Sequence, residues 1–398
     1  MLKREMYLSK IRGFYNSDLV KILVGIRRCG KSVILGQIIE ELKERGVQYD
    51  HIIYVNFEYI EYEELRDYKK LNQYVKELIK DNELYYLFFD EIQNVFSFEK
   101  VVNSLRASLP NVSIFITGSN SKLLSDEIST VLSGRYVSFQ IHPLNYREYI
   151  ELTQRNADED SLLDFMKWGG LPNRLQFTDE NNIKDYLHSV FDSIILRDVV
   201  DRFGLKDTTL FNLTLQYLID TTGREFSATN IINYLKSEGR DISSSVLYNY
   251  IDGLCKALII QKVYRYDIHG KAVLKTLNKY YMTDLGIAQI KNNHFEMNKA
   301  FAFENVVYNE LLTRGYRVYI GKTKKGEVDF IANKDNQIKY IQVAYLLSDD
   351  KVIEREFNAF DEITDHYPKY VISMDRIDFS RNGIKHMNMI DFLMNDEF

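Results

Sequence analysis

Proline is scarce in this chain, four in 398 residues, and no low-complexity tract interrupts it. Flexible linkers therefore cannot mark the domain limits, which have to be read from changes of hydrophobic pattern. Cysteine is nearly absent: Cys29 and Cys255 stand far apart, and neither has a metal-type neighbour. That argues against a disulfide framework and fits a reducing compartment. No run of about 18 apolar residues occurs, and the opening "MLKREMYLSK" lacks an apolar signal core. The expectation is a cytoplasmic protein with no membrane partner. An excess of base is missing as well. With 57 acidic against 51 basic residues the net charge is −6, and the isoelectric point lies near 5.8. This argues against whole-surface attraction to nucleic acid and leaves room only for a local basic stripe. At about 150 residues per domain, a chain of 398 residues makes two or three domains, each able to bury a core. No internal repeat is visible.

What is present begins with "LVKILV", a run of strand length, followed by "GIRRCGKS" and then "SVILGQIIEELKERG", which spaces its apolar residues at helical intervals. Gly25, Gly30, Lys31 and Ser32 match G-x-x-x-x-G-K-[ST] at every fixed position, between strand and helix as that motif requires. Backbone N–H groups and the positive end of the helix dipole cradle phosphate oxygens in such a loop. Lys31 is placed to reach the terminal phosphates and Ser32 to bind Mg²⁺, which implies ATP as the ligand.

A second carboxylate site follows about 60 residues downstream. "ELYYLFFDEIQNV" is an apolar strand ending in Asp90, suited to the Mg²⁺ shell, and Glu91, suited to orienting or deprotonating water. A third strand, "VSIFITGSNSKLL", ends in Thr117, Ser119 and Asn120, any of which could hydrogen-bond water or the γ-phosphate. In this order the motifs resemble those of AAA+ ATPases. More narrowly, "GIRRCGKS", "FFDEIQ", "ITGSNSKLLS", "LSGRY" and "PLNYREY" resemble the bacterial and archaeal AAA-type ATPases with a restriction-endonuclease-like C-terminal domain of unknown function. The resemblance covers nearly the whole chain. It implies that Glu91 is the catalytic glutamate, Asn120 (with Thr117 as rival) the sensor, and Arg135 a candidate finger. It also implies that the G-x-P element of "WGGLPNRL" touches adenine through Gly170 and Pro172, although a plain helix-breaking turn explains the same residues.

From about Asp207 the pattern changes. "FSATNIINYLKSEG" and "ISSSVLYNYIDGLCKALII" read as helices capped by Ser227 and Ser243, and "IIQKVYRYDI" and "AVLKTLNKYYMTDL" as a ribbon. Helix, turn, helix and ribbon make a winged-helix unit. Its ribbon carries Lys262, Arg265, Lys271, Lys275 and Lys279 against Asp267, a plausible set for DNA phosphates. The second helix offers Ser244, Ser245, Tyr248, Asn249 and Asp252, a poor set for reading bases. Docking as a lid or as a protein-contact surface is therefore the first reading of this unit, and DNA binding the second.

In the last segment Glu304 on a helix and Asp329 on a strand match the order of the PD-(D/E)xK nuclease core, but the E-x-K position reads Gln342, Val343, Ala344. Glutamine brings no charge and alanine neither base nor cation, so the nuclease set is broken while the fold can persist. The expected fold is α/β: a P-loop AAA+-type parallel sheet over 1–140 with a helical lid over 141–206, then a winged-helix unit over 207–290 and a degenerate restriction-endonuclease-like α/β domain over 291–398. The expected function is Mg·ATP binding and hydrolysis, coupled to motion of the later units against an unknown protein partner and compatible with a homo-oligomer. Two alternatives stand beside it, a DNA-processing protein and an ATP-gated binding module with little turnover.

Overall fold

The computed structural model describes residues 2–118, 123, 132, 134–194, 199, 207–291, 299–324, 326–396 and 398, with backbone alone at 275, 276 and 291. The chain falls into two compact units, Met1–His142 and Pro143–Phe398.

The first unit is a five-stranded sheet in the order β2-β3-β4-β1-β5, from β1 Val20–Val24, β2 Ile52–Asn56, β3 Tyr85–Asp90, β4 Val112–Gly118 and β5 Tyr136–Gln140. All neighbours run parallel. Parallel strands need crossovers, and helices α1 Glu5–Arg12, α2 Lys31–Glu44, α3 Tyr68–Leu78 and α4 Phe98–Ser108 flank them. The central strands β1, β3 and β4 are buried along their whole length, as covering both faces of a sheet demands. Leu87, Phe89 and Ile116 of the sheet pack with Leu71 and Val75 of α3 and Val102 and Leu105 of α4. Charged groups are buried in this unit as well. Lys21 of β1 is fully buried, its Nζ donating to Ser113 Oγ (2.7 Å) and Ser17 O (2.9 Å). Burial pushes its ammonium down to about 7.

The second unit carries helices Tyr146–Thr153, Glu159–Trp168, Glu180–Ile194, Thr208–Asp220, Ala228–Ser237 and Ser244–Lys256, then a seven-stranded mixed sheet and its flanking helices. Ser227 and Ser243 accept from the N–H groups of Asn230 and Val246, the caps read from the sequence. The sheet order is β12-β11-β10-β9-β8-β6-β7, with β6 Ile260–Asp267, β7 Ala272–Met282, β8 Arg317–Lys322, β9 Glu327–Lys334, β10 Gln337–Val343, β11 Lys369–Ser373 and β12 Ile384–Asn388. The ribbon expected as the wing of a winged-helix unit is thus the edge of the sheet that the C-terminal strands build. Arg265, Tyr266 and Asp267 of β6 pair in parallel with Ile320, Gly321 and Lys322 of β8. Main-chain pairing satisfies an edge that a projecting wing leaves open.

In the first unit the carboxylate of Glu41 on α2 ties down the segment ahead of β1. It accepts from Arg12 Nε (2.8 Å) and Nη2 (2.7 Å) and from Tyr15 OH (2.9 Å), with Lys3 Nζ at 2.8 Å. The Arg12 hydrogen bonds above all hold its pKa down to about 2 from 4.5. A depressed carboxyl contributes stability above its unfolded pKa and loses it as pH falls through its folded one. The advantage of wild type over Glu41→Gln in urea unfolding is therefore expected to be full above pH 4.5 and to fade towards pH 2. A difference that stays constant across that range contradicts the assignment.

Candidate functional site

Because the first sheet is parallel, the C-terminal ends of β1, β3 and β4 open on one edge, where ligands of such sheets gather. From β1 the chain turns through Gly25–Gly30 into α2. A methyl on Gly25 would lie 2.2 Å from Ile141 O and 2.7 Å from Cys29 Sγ, so no larger residue fits. Gly30, with φ of 100°, caps the helix in the left-handed region. Lys31, 4% exposed, donates from Nζ to Gly25 O (3.1 Å) and Ile26 O (3.2 Å) and lies 3.8 Å from Glu91 Oε1. Ser32 is exposed in the first turn of α2, its hydroxyl at the helix N-terminus.

Opposite the loop stands a buried carboxylate with donors from both neighbouring strands. Asp90 at the end of β3 accepts from Tyr54 OH (2.9 Å) and Asn56 Nδ2 (3.1 Å) of β2 and from Thr117 Oγ1 of β4. Three of its roughly four lone-pair sites are thereby taken. Thr117 Oγ1 also accepts the N–H of Glu91 (2.9 Å), and Glu91 stands in the left-handed region at φ 55°. That conformation is costly for a residue with a side chain and marks sites where surrounding structure holds a group in place. Gln93 Nε2 donates to Glu91 Oε2.

The structure brings Gly25, Gly30, Lys31, Ser32, Asp90, Glu91 and Thr117 together. Asn120 lies outside the described residues. Arg135 is exposed, just ahead of β5, with its C=O accepting from Val20 N (3.1 Å). Val20 opens β1, so Arg135 is at the far edge of the sheet, roughly 15 Å from the loop at ~3.3 Å per residue. Gly170 and Pro172 belong to the second unit. Gly170 donates its N–H to Asp284 Oδ2 (2.7 Å), and its C=O accepts from Leu144 N (2.8 Å). Burial raises the Asp284 carboxyl to about 6. Pro172 opens a short 3-10 turn, Pro172–Gln176.

Sequence reasoning missed the groups that brace the loop. Arg4, 3% exposed, donates from Nη1 to Cys29 O and His142 O, both at 3.0 Å. His142 donates its backbone N–H to Tyr7 OH (3.1 Å), and burial holds its ring down to about 4, so it stays neutral. None of these residues carries a spacing that announces its role. Tyr54, Asn56 and Gln93 were equally silent, although polar residues closing buried strands beside Asp90 and Glu91 were a usable signal.

A second cleft, of about 510 Å³, lies in the C-terminal part of the second unit and is lined by Glu304, Asp329, Gln342, Ala344, Arg355 and Glu356 among others. Here the ribbon corrects the sequence reading. Arg265 and Lys279 do not face solvent as a phosphate stripe; they are 6% and 5% exposed. Arg265 Nη1 pairs with Glu225 (2.7 Å), and Lys279 Nζ pairs with Glu327 and lies 3.9 Å from Glu304 Oε2. The reason is what packs on the sheet: Arg265 and Lys279 meet Glu225, Glu304 of the helix Lys299–Thr313 and Glu327 of β9, which take these two cations out of the solvent-facing set. Lys262 and Lys271 remain exposed. Asp329 Oδ2 accepts Val343 N (2.8 Å) and Tyr281 OH donates to Glu304 Oε2 (3.0 Å). Burial raises both carboxyls, Glu304 further raising Asp329. Among the described residues no group of three or more His, Cys, Asp and Glu is arranged to hold a metal ion. No described helix is long and apolar enough to cross a membrane.

The phosphate-type loop, the acid pair at β3 and the strand order define the first unit as an AAA-type P-loop domain, and residues 17–150 match the family described as AAA domain. Two families described as domains of unknown function, DUF8612 and DUF4143, match 159–296 and 299–392. The whole chain belongs to one family with an uncharacterized protein of Haemophilus influenzae, 37% identical over 99% of both chains. An uncharacterized protein of Methanocaldococcus jannaschii is 32% identical over 94% of this chain and 85% of its own. Among solved structures, Cdc6p from Pyrobaculum aerophilum is similar at 11% identity and a TM-score of 0.33, over 76% of this chain and 93% of that one.

Lys279 sits between Glu304 and Glu327 in a buried place, and without it the two carboxylates share one cation, Arg265 Nη2 at 3.7 Å from Glu327. Lys279→Met is expected to lower stability by about 3–5 kcal/mol in chemical unfolding, and Glu327→Gln added to it to restore part of the loss. A cost below about 1 kcal/mol shows that the network does not hold the fold.

Proposed function

We propose that the chain binds Mg·ATP at the loop Gly25–Ser32 and hydrolyses it, using Glu91 to orient or deprotonate the attacking water. The observation that carries this reading is Glu91 itself. It is held at φ 55° with its N–H on Thr117 and its carboxylate 3.8 Å from Lys31. In this state Lys31 spends its donors on carbonyls of its own loop, bonds that phosphate oxygens replace with stronger, charge-assisted ones. Magnesium, when bound, offsets phosphate charge; Ser32 would hold it directly. Asp90, with most of its lone pairs engaged, would act on its water shell. Thr117 bonds both acids and is positioned to sense the γ-phosphate, with Asn120 as the other candidate. Gly170 has both backbone groups hydrogen-bonded within its own unit, and adenine contact through Gly170 and Pro172 rests on the family resemblance alone.

Arg135, at the sheet edge away from its own loop, fits a finger reaching a neighbouring copy's nucleotide, and hence a homo-oligomer. The second unit, read as lid, winged-helix and nuclease-like parts, would move with nucleotide state against a protein partner. Of the ribbon cations Arg265 and Lys279 are taken up in ion pairs while Lys262 and Lys271 stay exposed, which weakens the DNA alternative. A gated binding module with little turnover differs from the main reading only in rate.

Lys31→Ala is expected to abolish binding of a fluorescent ATP analogue, whereas Glu91→Gln keeps binding and loses turnover, because an amide cannot accept the proton. Mixing Arg135→Ala with Lys31→Ala protein should restore part of the activity if the finger acts between copies. Unchanged specific activity on dilution to a proven monomer removes the finger. For the C-terminal cleft, with Ala344 in the lysine position and Lys279 bound to Glu327, no cleavage is expected. Single-stranded, duplex and supercoiled DNA incubated with Mg²⁺ or Mn²⁺ should stay intact, and cleavage lost in Asp329→Ala would reverse this reading.

A further inference from the structure

The segment Phe57–Asp67 between β2 and α3 carries five carboxylates, Glu58, Glu61, Glu63, Glu64 and Asp67, against one arginine, Arg66. Glu64 lies 3.1 Å from Lys70 and Glu58 3.8 Å from Arg27, Asp67 caps α3 through the N–H groups of Lys69 and Lys70, and the exposed Glu61 and Glu63 carry the remaining charge. Among these acids Tyr59 and Ile60 are 53% and 78% exposed. Phe96, also 78% exposed, stands beside the segment's end, where its N–H donates to Arg66 O (3.0 Å) and its backbone bridges to Asp67. Large apolar side chains left exposed along one surface segment, Tyr59 and Ile60 at its start and Phe96 at its end, cost free energy in water and are found at contact sites.

This surface is anchored, not loose. Arg66 donates to Phe57 O from Nη2 (3.0 Å) and Nε (3.3 Å), and Phe57 N donates to Asp90 O (3.1 Å). Two routes tie it to the phosphate loop and its acids. Asn56 holds Asp90 with its amide nitrogen (3.1 Å) and Glu58 N with its oxygen (2.9 Å). Arg27, within the loop, lies 3.8 Å from Glu58.

We propose that this apolar-tipped acidic surface docks a basic polypeptide segment with aliphatic or aromatic anchors, and that nucleotide state sets its affinity. The occupant follows from charge. Carboxylates around Tyr59 and Ile60 repel the phosphates of nucleic acid and of anionic lipid, and attract lysine and arginine. The apolar tips then supply the contacts that a purely ionic encounter lacks. The dependence on nucleotide rests on the ATP reading above; the docking does not.

The probe is a random dodecapeptide phage library panned on the full chain, followed by fluorescence anisotropy with the recovered consensus peptide. A Lys- and Arg-rich consensus with apolar anchors is expected, bound at least tenfold more weakly by Ile60→Asp/Phe96→Asp and by Glu61→Lys/Glu63→Lys, while a fluorescent ATP analogue binds those variants as it binds wild type. In wild type the peptide's affinity should differ with and without Mg·AMP-PNP, and Asn56→Ala should abolish that difference. Acidic or uncharged peptides, no consensus, or binding indifferent to the patch overturns the docking. So does self-association of wild type that Ile60→Asp abolishes, since the patch then belongs to a second copy. Peptide binding that survives while the analogue fails to bind overturns only the ATP reading.

Discussion

A buried carboxylate organises the first unit. Asp90 has no exposed surface, and such a charge persists only where donors replace the water it lost. Its donors come from both adjacent strands: Tyr54 and Asn56 on β2 and Thr117 on β4. The arrangement therefore needs β2, β3 and β4 adjacent, parallel and in register, with Asn56 opposite Asp90. Once it is met, Thr117 has an acceptor left for the N–H of Glu91, and the chain leaves β3 in a left-handed turn that aims the next carboxylate at Lys31. The Tyr54 hydroxyl is in turn pushed up, by burial first and then by the Asp90 charge beside it.

The second unit solves a similar problem by pairing charges. Lys279 and Arg265 meet Glu304, Glu327 and Glu225 where β6 and β7 join the strands that follow. Ion pairs of this kind are costly to bury and costly to break, so they favour one register of the strands over its neighbours. Asp284 plays a comparable part at the start of helix Leu285–Lys291, where it accepts from Gly170 N and Gly286 N (2.9 Å). A glycine that reads in the sequence as a turn is in this way one end of a long-range junction.

Much of the site was legible before the fold. A glycine-framed loop between a strand and a helix announces itself because phosphate binding needs backbone amides, and amides need glycine to come close. Gly25 shows why, with a backbone carbonyl lying where its side chain would be. The acid pair was legible because an apolar strand that ends in two carboxylates is a strong contrast. Arg4 and His142 were not legible, since a single arginine ahead of β1 meets Cys29 and His142 only after the sheet has brought β1 beside β5. The ribbon misled for the same reason: alternation along a strand says which residues share a face, not what will pack on that face, here the helix that carries Glu304.

The sequence by itself determined the local pieces, namely the loop Gly25–Ser32, the strand that ends at Asp90 and Glu91, and the capped helices at Ser227 and Ser243, because spacing and capping act over a few residues. Strand order and charge pairing were decided only by the tertiary structure. Which strand lies beside β1, whether Lys279 meets solvent or Glu327, and which donors surround Asp90 depend on contacts between residues tens to hundreds apart in the chain. No local preference encodes those contacts; they follow from covering both faces of a sheet and leaving no buried polar group without a partner.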